Sequence, residues 1–346
     1  MIFPFVPTPV AGTLSGLVGT LLREGIGVGS VTTTSAVRIR APAPGGGSTS
    51  RAAGGVGAPR AATVAFAVVS RTSTFTRPPA LRNAKDALEQ LSRPGPNPVL
   101  RGDLGLVGLP GVVYAPQEGL GLPAVAFGHD WLQPPSRYAE LLRHLASWGI
   151  VAAAPASQRG PLPSAARFSA DLRTTLDVCA GVRLGDGRIS VDSRRTALAG
   201  HGTGAGAALL AAAAHPKVAA VVTLAPAEVR PSAIDAARRI TVPTLHIAGG
   251  KDTVAPIAGH AEPIAQAAGG PVWLRTIGKA SHTEFMTGPH WTDLLLSGSP
   301  NGKTRRITRA LMTAFLLKHL CDEDRVDDLV DGKVPSTTLV HLTPTP

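Results

Sequence analysis

The sequence predicts an α/β protein: a doubly wound, mostly parallel sheet flanked by helices, preceded by an irregular N-terminal extension. From about Gly111, apolar runs of strand length alternate with helical stretches. The runs are continuously apolar rather than alternating, which marks strands buried on both faces, as in a parallel sheet covered by helices. Residues with reactive side chains gather just past the ends of those runs, where ligands bind in open parallel sheets.

The extension covers residues 1–60 and the domain residues 61–346, with a regular core over about 111–333. Met1 to Leu22 is apolar, but no basic stretch precedes Ile2-Phe3-Pro4-Phe5 and no small-residue cleavage site follows, so the segment reads as mature sequence and a cytoplasmic location is expected. Leu14, Leu17, Val18 and Leu21 leave open an amphipathic stretch resting on a membrane surface or a partner. Pro42 to Arg60 is rich in Gly, Pro and Ser without periodicity and reads as linker, flanked by short extended runs at Ala36 to Ile39 and Thr63 to Ser70. Leu81, Ala84, Leu88 and Leu91 predict a helix within Pro78 to Ser92, stopped by the proline cluster that follows.

In the core, strands are predicted at Val112 to Tyr114, Ala124 to Phe127, Ile150 to Ala154, Thr196 to Ala199, Val218 to Leu224, Thr244 to Ala248 and Val272 to Thr276. Helices are predicted at Ser136 to Ser147, Ala165 to Val182, Ala205 to Ala214, Ser232 to Arg238, Ile257 to Ala267 and Arg306 to His319.

Composition narrows the function. The 346 residues are 44% hydrophobic, enough for a substantial core, and no apolar run reaches the roughly 18 residues a membrane span needs. Net charge is +11, yet residues 1–110 carry 11 − 4 = +7 and residues 111–346 carry 23 − 19 = +4, as scattered arginines without interleaved aromatics. Nucleic-acid binding is not expected from that pattern. Cys179 and Cys321 are too few for a disulfide framework, and their pairing is left open, Cys179 reading as a buried apolar residue. The ten histidines show no H-E-x-x-H or H-x-x-E-H spacing, so neither metal nor cofactor is expected.

Three segments carry chemistry. Leu198-Ala-Gly200-His201-Gly202-Thr203-Gly204-Ala-Gly206 joins an apolar strand to an Ala-rich helix, the setting of a G-x-S-x-G nucleophile elbow, with Gly202 at the serine position. Asp252 follows the strand Thr244 to Ala248, and His282 follows the strand after that. An elbow, then an acid, then a histidine is the chain order of an α/β-hydrolase triad.

On these residues the chain resembles the α/β-hydrolase superfamily, in particular its cutinase-like polyester hydrolase and dienelactone-hydrolase-like branch. The likeness runs from about 111 to 333, best in Arg188 to Ala225, Val242 to Pro256 and Lys279 to His282, with the last helix, Ala310 to Leu320, also similar. It implies a fold with Asp252 orienting His282, and an oxyanion hole from the backbone N–H groups of Thr203 and Trp131. Three departures stand against that pattern: Gly202 has no side chain to attack with, Asp130 stands where a small residue is usual, and Ala227 replaces an aromatic substrate clamp. A carboxylate at 130 opposes a developing oxyanion unless paired, and His129 or an arginine is the expected partner.

The resulting expectation is a pseudo-hydrolase that binds a small acyl or ester-like ligand, or a protein partner, through the old pocket. The alternative is an atypical ester, lactone or thioester hydrolase in which an Asp252–His282 dyad activates water. A pocket lined by Trp131, His282 and Ala227 is expected in both, and a water-sized space between Gly202 and His282 in the second. His201 reads as packing, His290 and Trp291 as a surface loop that can form a rim, and Asp322 to Asp328 as a solvated acidic helix end.

Overall fold

The computed structural model describes residues 83–215, 217–288 and 301–343. The expected boundary at residue 60, the runs at 36–39 and 63–70, and His290 and Trp291 lie outside the described residues. Strands β1 (Val99–Asp103), β2 (Gly111–Pro116), β3 (Gly119–Gly128), β4 (Val151–Pro155), β5 (Ile189–His201), β6 (Ala220–Leu224), β7 (Thr244–Gly249), β8 (Val272–Ile277) and β9 (Thr337–Leu342) form one sheet. Its order is β1-β2-β4-β3-β5-β6-β7-β8-β9. The inner six from β4 to β8 run parallel, while β1, β2 and β9 pair antiparallel at the two edges.

Each predicted core strand is present, and β1 and β9 are additions. Both are edge strands with a mixed exposure pattern, so neither shows the continuous apolar run that betrays the inner strands. The helices are α1 (Ala84–Leu91), α2 (Ala139–Ser147), α3 (Ala165–Gly181), α4 (Gly202–Ala213), α5 (Ala233–Ala237), α6 (Ala261–Gln266), α7 (Gly302–Cys321) and α8 (Asp327–Val330). The predicted Ile257 to Ala267 helix is split, a short 3-10 turn at Ile257–Gly259 preceding α6.

Alternation along the strands assigns two cores. Val125, Phe127, Ala197, Ala199 and Val222 face α2 and α7, meeting Leu142, Leu145, Leu311 and Phe315. Ala126, Leu198 and Val221 face the other way, onto Phe168 and Leu172 of α3 and the alanine surface of α4. The alanine content of α4 lets that helix lie close to the sheet, and glycines bring it closer: a Cβ on Gly204 would overlap the backbone of Gly128 and His129, and one on Gly200 would overlap Gly204. That approach holds the end of β3, and with it residues 129 and 130, against the start of α4.

At the far edge Arg275 is buried on β8, donating to the carbonyls of Val330 (2.7 Å) and Gly332 (3.0 Å), which ties the segment before β9 to the sheet. Residues 322–328 are not simply a solvated end. Glu323 is buried and takes two bonds from Arg325, at 2.6 and 2.7 Å, and Asp327 pairs with Lys318. Cys179 is buried and Cys321 half-buried, and both are free thiols. Among the described residues no helix is long and apolar enough to cross a membrane.

Replacing Gly204 by alanine is expected to lower stability by about 2–3 kcal/mol through forced separation of α4 from β3. Urea unfolding of the two proteins checks it: a lower midpoint with an unchanged slope is the expected result.

Candidate active site

Four strand ends build the site, all at the carboxyl edge of the parallel strands. The end of β3 leads to His129 and Asp130, β5 to His201 and the turn at Gly202, β7 to Asp252, and β8 to His282. Gly202 has φ +53°, the left-handed turn of an elbow that aims the next N–H groups, at the start of α4, towards the site.

Asp252 is held before it meets its histidine. Its Oδ1 accepts from the N–H groups of Val254 (2.9 Å) and Ala255 (2.8 Å), leaving Oδ2 to accept from His282 Nδ1 at 2.7 Å. The acid–histidine pair expected from the sequence is therefore assembled. What the sequence does not reveal is the third member. Asp130 Oδ2 accepts from His282 Nε2 at 3.0 Å, and its Oδ1 accepts from the Thr203 N–H at 2.8 Å and the Thr203 hydroxyl at 3.3 Å. A Cβ built on Gly202 would overlap Asp130 Oδ1. The carboxylate thus occupies the place of the absent serine side chain, between the histidine and the N–H expected to bind the oxyanion.

Neither expected partner of Asp130 serves it. The two ring nitrogens of His129 face the carbonyls of Asp130 (2.8 Å) and Ser157 (2.8 Å), so that ring braces the loop, and the ion pair of Asp130 is with His282. Trp131 lies half-exposed at the surface, its indole N–H donating to the Pro161 carbonyl at 3.0 Å. Ala227 donates its N–H to the Gly202 carbonyl at 3.1 Å, so it adjoins the elbow, as its sequence position implies.

Protonation follows from these contacts. Burial alone would depress the His282 value, but the bonds and charges of Asp130 and Asp252 raise it to about 9. Burial would raise both aspartates; instead the His282 contact, with help from backbone N–H groups, holds Asp130 far below the usual carboxylate range and lowers Asp252. At neutral pH the site is carboxylate, imidazolium, carboxylate, and His282 has no lone pair to offer.

His201 belongs to this cluster rather than to packing alone. Its ring lies on that of His282 with centroids 4.5 Å apart, and Tyr138 bridges it to the loop. The Tyr138 hydroxyl accepts from the Asp130 N–H (3.1 Å) and gives its one proton to His201 Nδ1 (2.8 Å). Burial first, and then the neighbouring imidazolium, push His201 down to about 3, so the ring is neutral with its proton on Nε2. Asp130, His201 and His282 bring possible metal-binding atoms within 4.8 Å of one another. Asp130 and His282 are bonded to one another directly, His201 is tied to the Asp130 backbone through Tyr138, and His201 Nε2 is buried without a hydrogen-bond partner. Tyr138 is not marked by local spacing and His201 reads there as packing; the meeting of β3, β5 and the turn before α2 brings them to the site.

A cleft of about 600 Å³ adjoins the site through Thr203, its walls including Phe168, Val229, Glu228 and Arg230. Trp131, His282 and Ala227, expected to line the pocket, are not among the residues that line this cleft.

Residues 110–269 match the family of PET hydrolase-like proteins. With the sheet order, the elbow and the Asp252–His282 pair, this match identifies the fold. The chain has an α/β-hydrolase fold. It is 31% identical over 153 residues to the cutinase est1 of Thermobifida alba, covering 44% of this chain and 50% of that protein. It is 30% identical over 169 residues to a bis(hydroxyethyl) terephthalate hydrolase of Streptomyces coelicolor, covering 45% of this chain and 48% of that one. A cutinase of Thermobifida fusca matches at 30% over 156 residues, covering 44% and 49%. The chain thus spans about half the length of the curated relatives it matches.

His282 separates two buried carboxylates, so His282→Ala is expected to cost about 3–5 kcal/mol by leaving them facing one another. The value of His282 is raised on folding, so its contribution is complete below about pH 6.5 and is lost as the pH climbs through about 9. The aspartates are lowered on folding, so theirs is present above about pH 4 and is lost on acidification. Melting temperatures taken across that range should fall on both sides of a plateau, and the alkaline fall should vanish in His282→Ala.

Proposed function

We propose that this α/β-hydrolase does not cleave esters through a serine, and that it binds a small acyl or ester-like ligand in the cleft beside the retired elbow. One observation carries the reading: the Asp130 carboxylate fills the nucleophile's place and is bonded on one side to His282 and on the other to the Thr203 N–H. An acyl-enzyme route needs a side chain at residue 202, a basic histidine and a free oxyanion donor. Gly202 lacks the first, the imidazolium of His282 lacks the second, and Asp130 takes the third.

The same contacts weigh against the dyad that activates water. No water-sized space separates Gly202 from His282, because Asp130 lies there, and the nitrogen that would take the water's proton already holds one. The cleft favours a small ligand over a protein partner: about 600 Å³ is within the range of small-molecule sites, and Phe168 and Val229 give it an apolar wall. Cutinase and terephthalate-ester hydrolase relatives support an ester-like occupant.

The test is a set of three proteins assayed on p-nitrophenyl butyrate. Wild type and Gly202→Ser should both be inert, the latter because its Cβ meets Asp130. Asp130→Gly combined with Gly202→Ser should gain activity by about 100-fold or more over either, since it restores the nucleophile and frees both His282 and the Thr203 N–H. Turnover by wild type with labelling by a fluorophosphonate, or activity from Gly202→Ser alone, would overturn the reading.

A further inference from the structure

The structure assigns a site for one small inorganic anion, of chloride size, to a cavity between α2 and α7 beside the segment that follows His282. It shares no lining residue with the cleft beside Thr203, and it stands whatever that cleft binds.

The walls are built from charge. Arg305, Thr308 and Arg309 are spaced i, i+3 and i+4 on α7, so one face of that helix presents all three. Arg137, in the turn before α2, and Glu140 of α2 line the same cavity, with Phe285 and Thr287. Three guanidinium groups therefore stand against one carboxylate among the described residues. That carboxylate matches them poorly, because the Glu140 side chain is 54% exposed and its Oε2 is 3.9 Å from Arg309 Nη1.

Two buried donors at this place meet no hydrogen-bond partner among the described residues. Thr308 is 2% exposed, and its hydroxyl is one of them; the Nε of Arg309 is the other. Arg305 makes one long contact, Nη1 to the Met286 carbonyl at 3.4 Å. Buried polar groups in folded proteins are paired as a rule, so orphan donors grouped at a cavity mark an occupant.

Donor chemistry and size say which occupant. A guanidinium can only donate. The nearby acceptors are already engaged: the Thr287 carbonyl takes Arg137 Nε at 3.3 Å, and the Arg137 carbonyl takes the Thr287 N–H and hydroxyl, both at 2.9 Å. A water here has two protons to place among groups that mainly donate, whereas a halide accepts from every side. A metal cation is repelled by the arginines. The cavity measures about 10 Å³, close to the space one water-sized particle needs, so a monatomic anion suits it and a phosphate does not.

The position gives the ion a task. It joins α7 to the segment from His282 to Thr287, which is already tied to Arg137. Phe285 of that segment packs on the His201 ring with centroids 5.5 Å apart, so an anion at this place braces the turn that carries His282.

Melting temperatures of the full chain, taken as potassium chloride replaces potassium gluconate at constant ionic strength, test the inference. Wild type should rise by about 2–4 °C and level off, as saturation of one site requires. Thr308→Val, which keeps the shape of the side chain and loses its hydroxyl, should need about 10-fold more chloride for half the rise, and Arg309→Gln likewise. Crystals soaked in potassium bromide should show one anomalous peak between Thr308 Oγ1 and Arg309 Nε. A flat wild-type profile, a rise that both variants keep unchanged, or a bromide peak elsewhere only would overturn the assignment. A rise with potassium phosphate as large as that with chloride, and lost in Thr308→Val, would equally reject a monatomic anion.

Discussion

The imidazolium of His282, held between the carboxylates of Asp130 and Asp252, is the interaction on which the rest of the site depends. Three charges are taken out of water here, and such burial is tolerable only when each lone pair and proton finds a partner. That condition is met in detail. Asp252 has two backbone N–H groups on one oxygen and His282 on the other, and Asp130 has Thr203 on one oxygen and His282 on the other. The neutral ring of His201 lies against the charged one, with Tyr138 fixing its tautomer. The absence of a side chain at Gly202 leaves room for this arrangement, and Asp130 completes it.

The fold supplies the precision. Residues 130, 203, 252 and 282 come from four parallel strands, and their relative positions are set by the sheet register and by glycine contacts that press α4 onto the ends of β3 and β5. A carboxylate on a mobile loop could not be held at hydrogen-bond distance from both a histidine and a helix N–H. The alanine-rich surface of α4 and the small residues around Gly202 serve that placement as well as they would serve an elbow.

Much of this was legible in the sequence. Continuous apolar runs such as Ile150 to Ala154 and Val218 to Leu224 located the inner strands, and the order of Gly202, Asp252 and His282 located three corners of the site. The edge strands β1 and β9 were not legible because one face is wet and their apolar pattern is interrupted. Asp130 is discordant in the sequence, but its partner is neither His129 nor an arginine. His129 is next to it in sequence, yet that ring is committed to two carbonyls, and the true partner lies 152 residues away. Tyr138 gives no local signal, and His201, although inside the elbow motif, reads as packing, because their roles exist only once the strands are assembled.

The protonation state of His282 is the point at which geometry becomes chemistry. Nitrogen-15 NMR of the histidine side chains at pH 7 measures it directly. Two protonated ring nitrogens on His282, with one of the two protons lost as the pH passes about 9, is the expected spectrum. A single protonated nitrogen at pH 7, with Nε2 bare, would mean that Asp130 does not clamp the ring and that His282 is a free base.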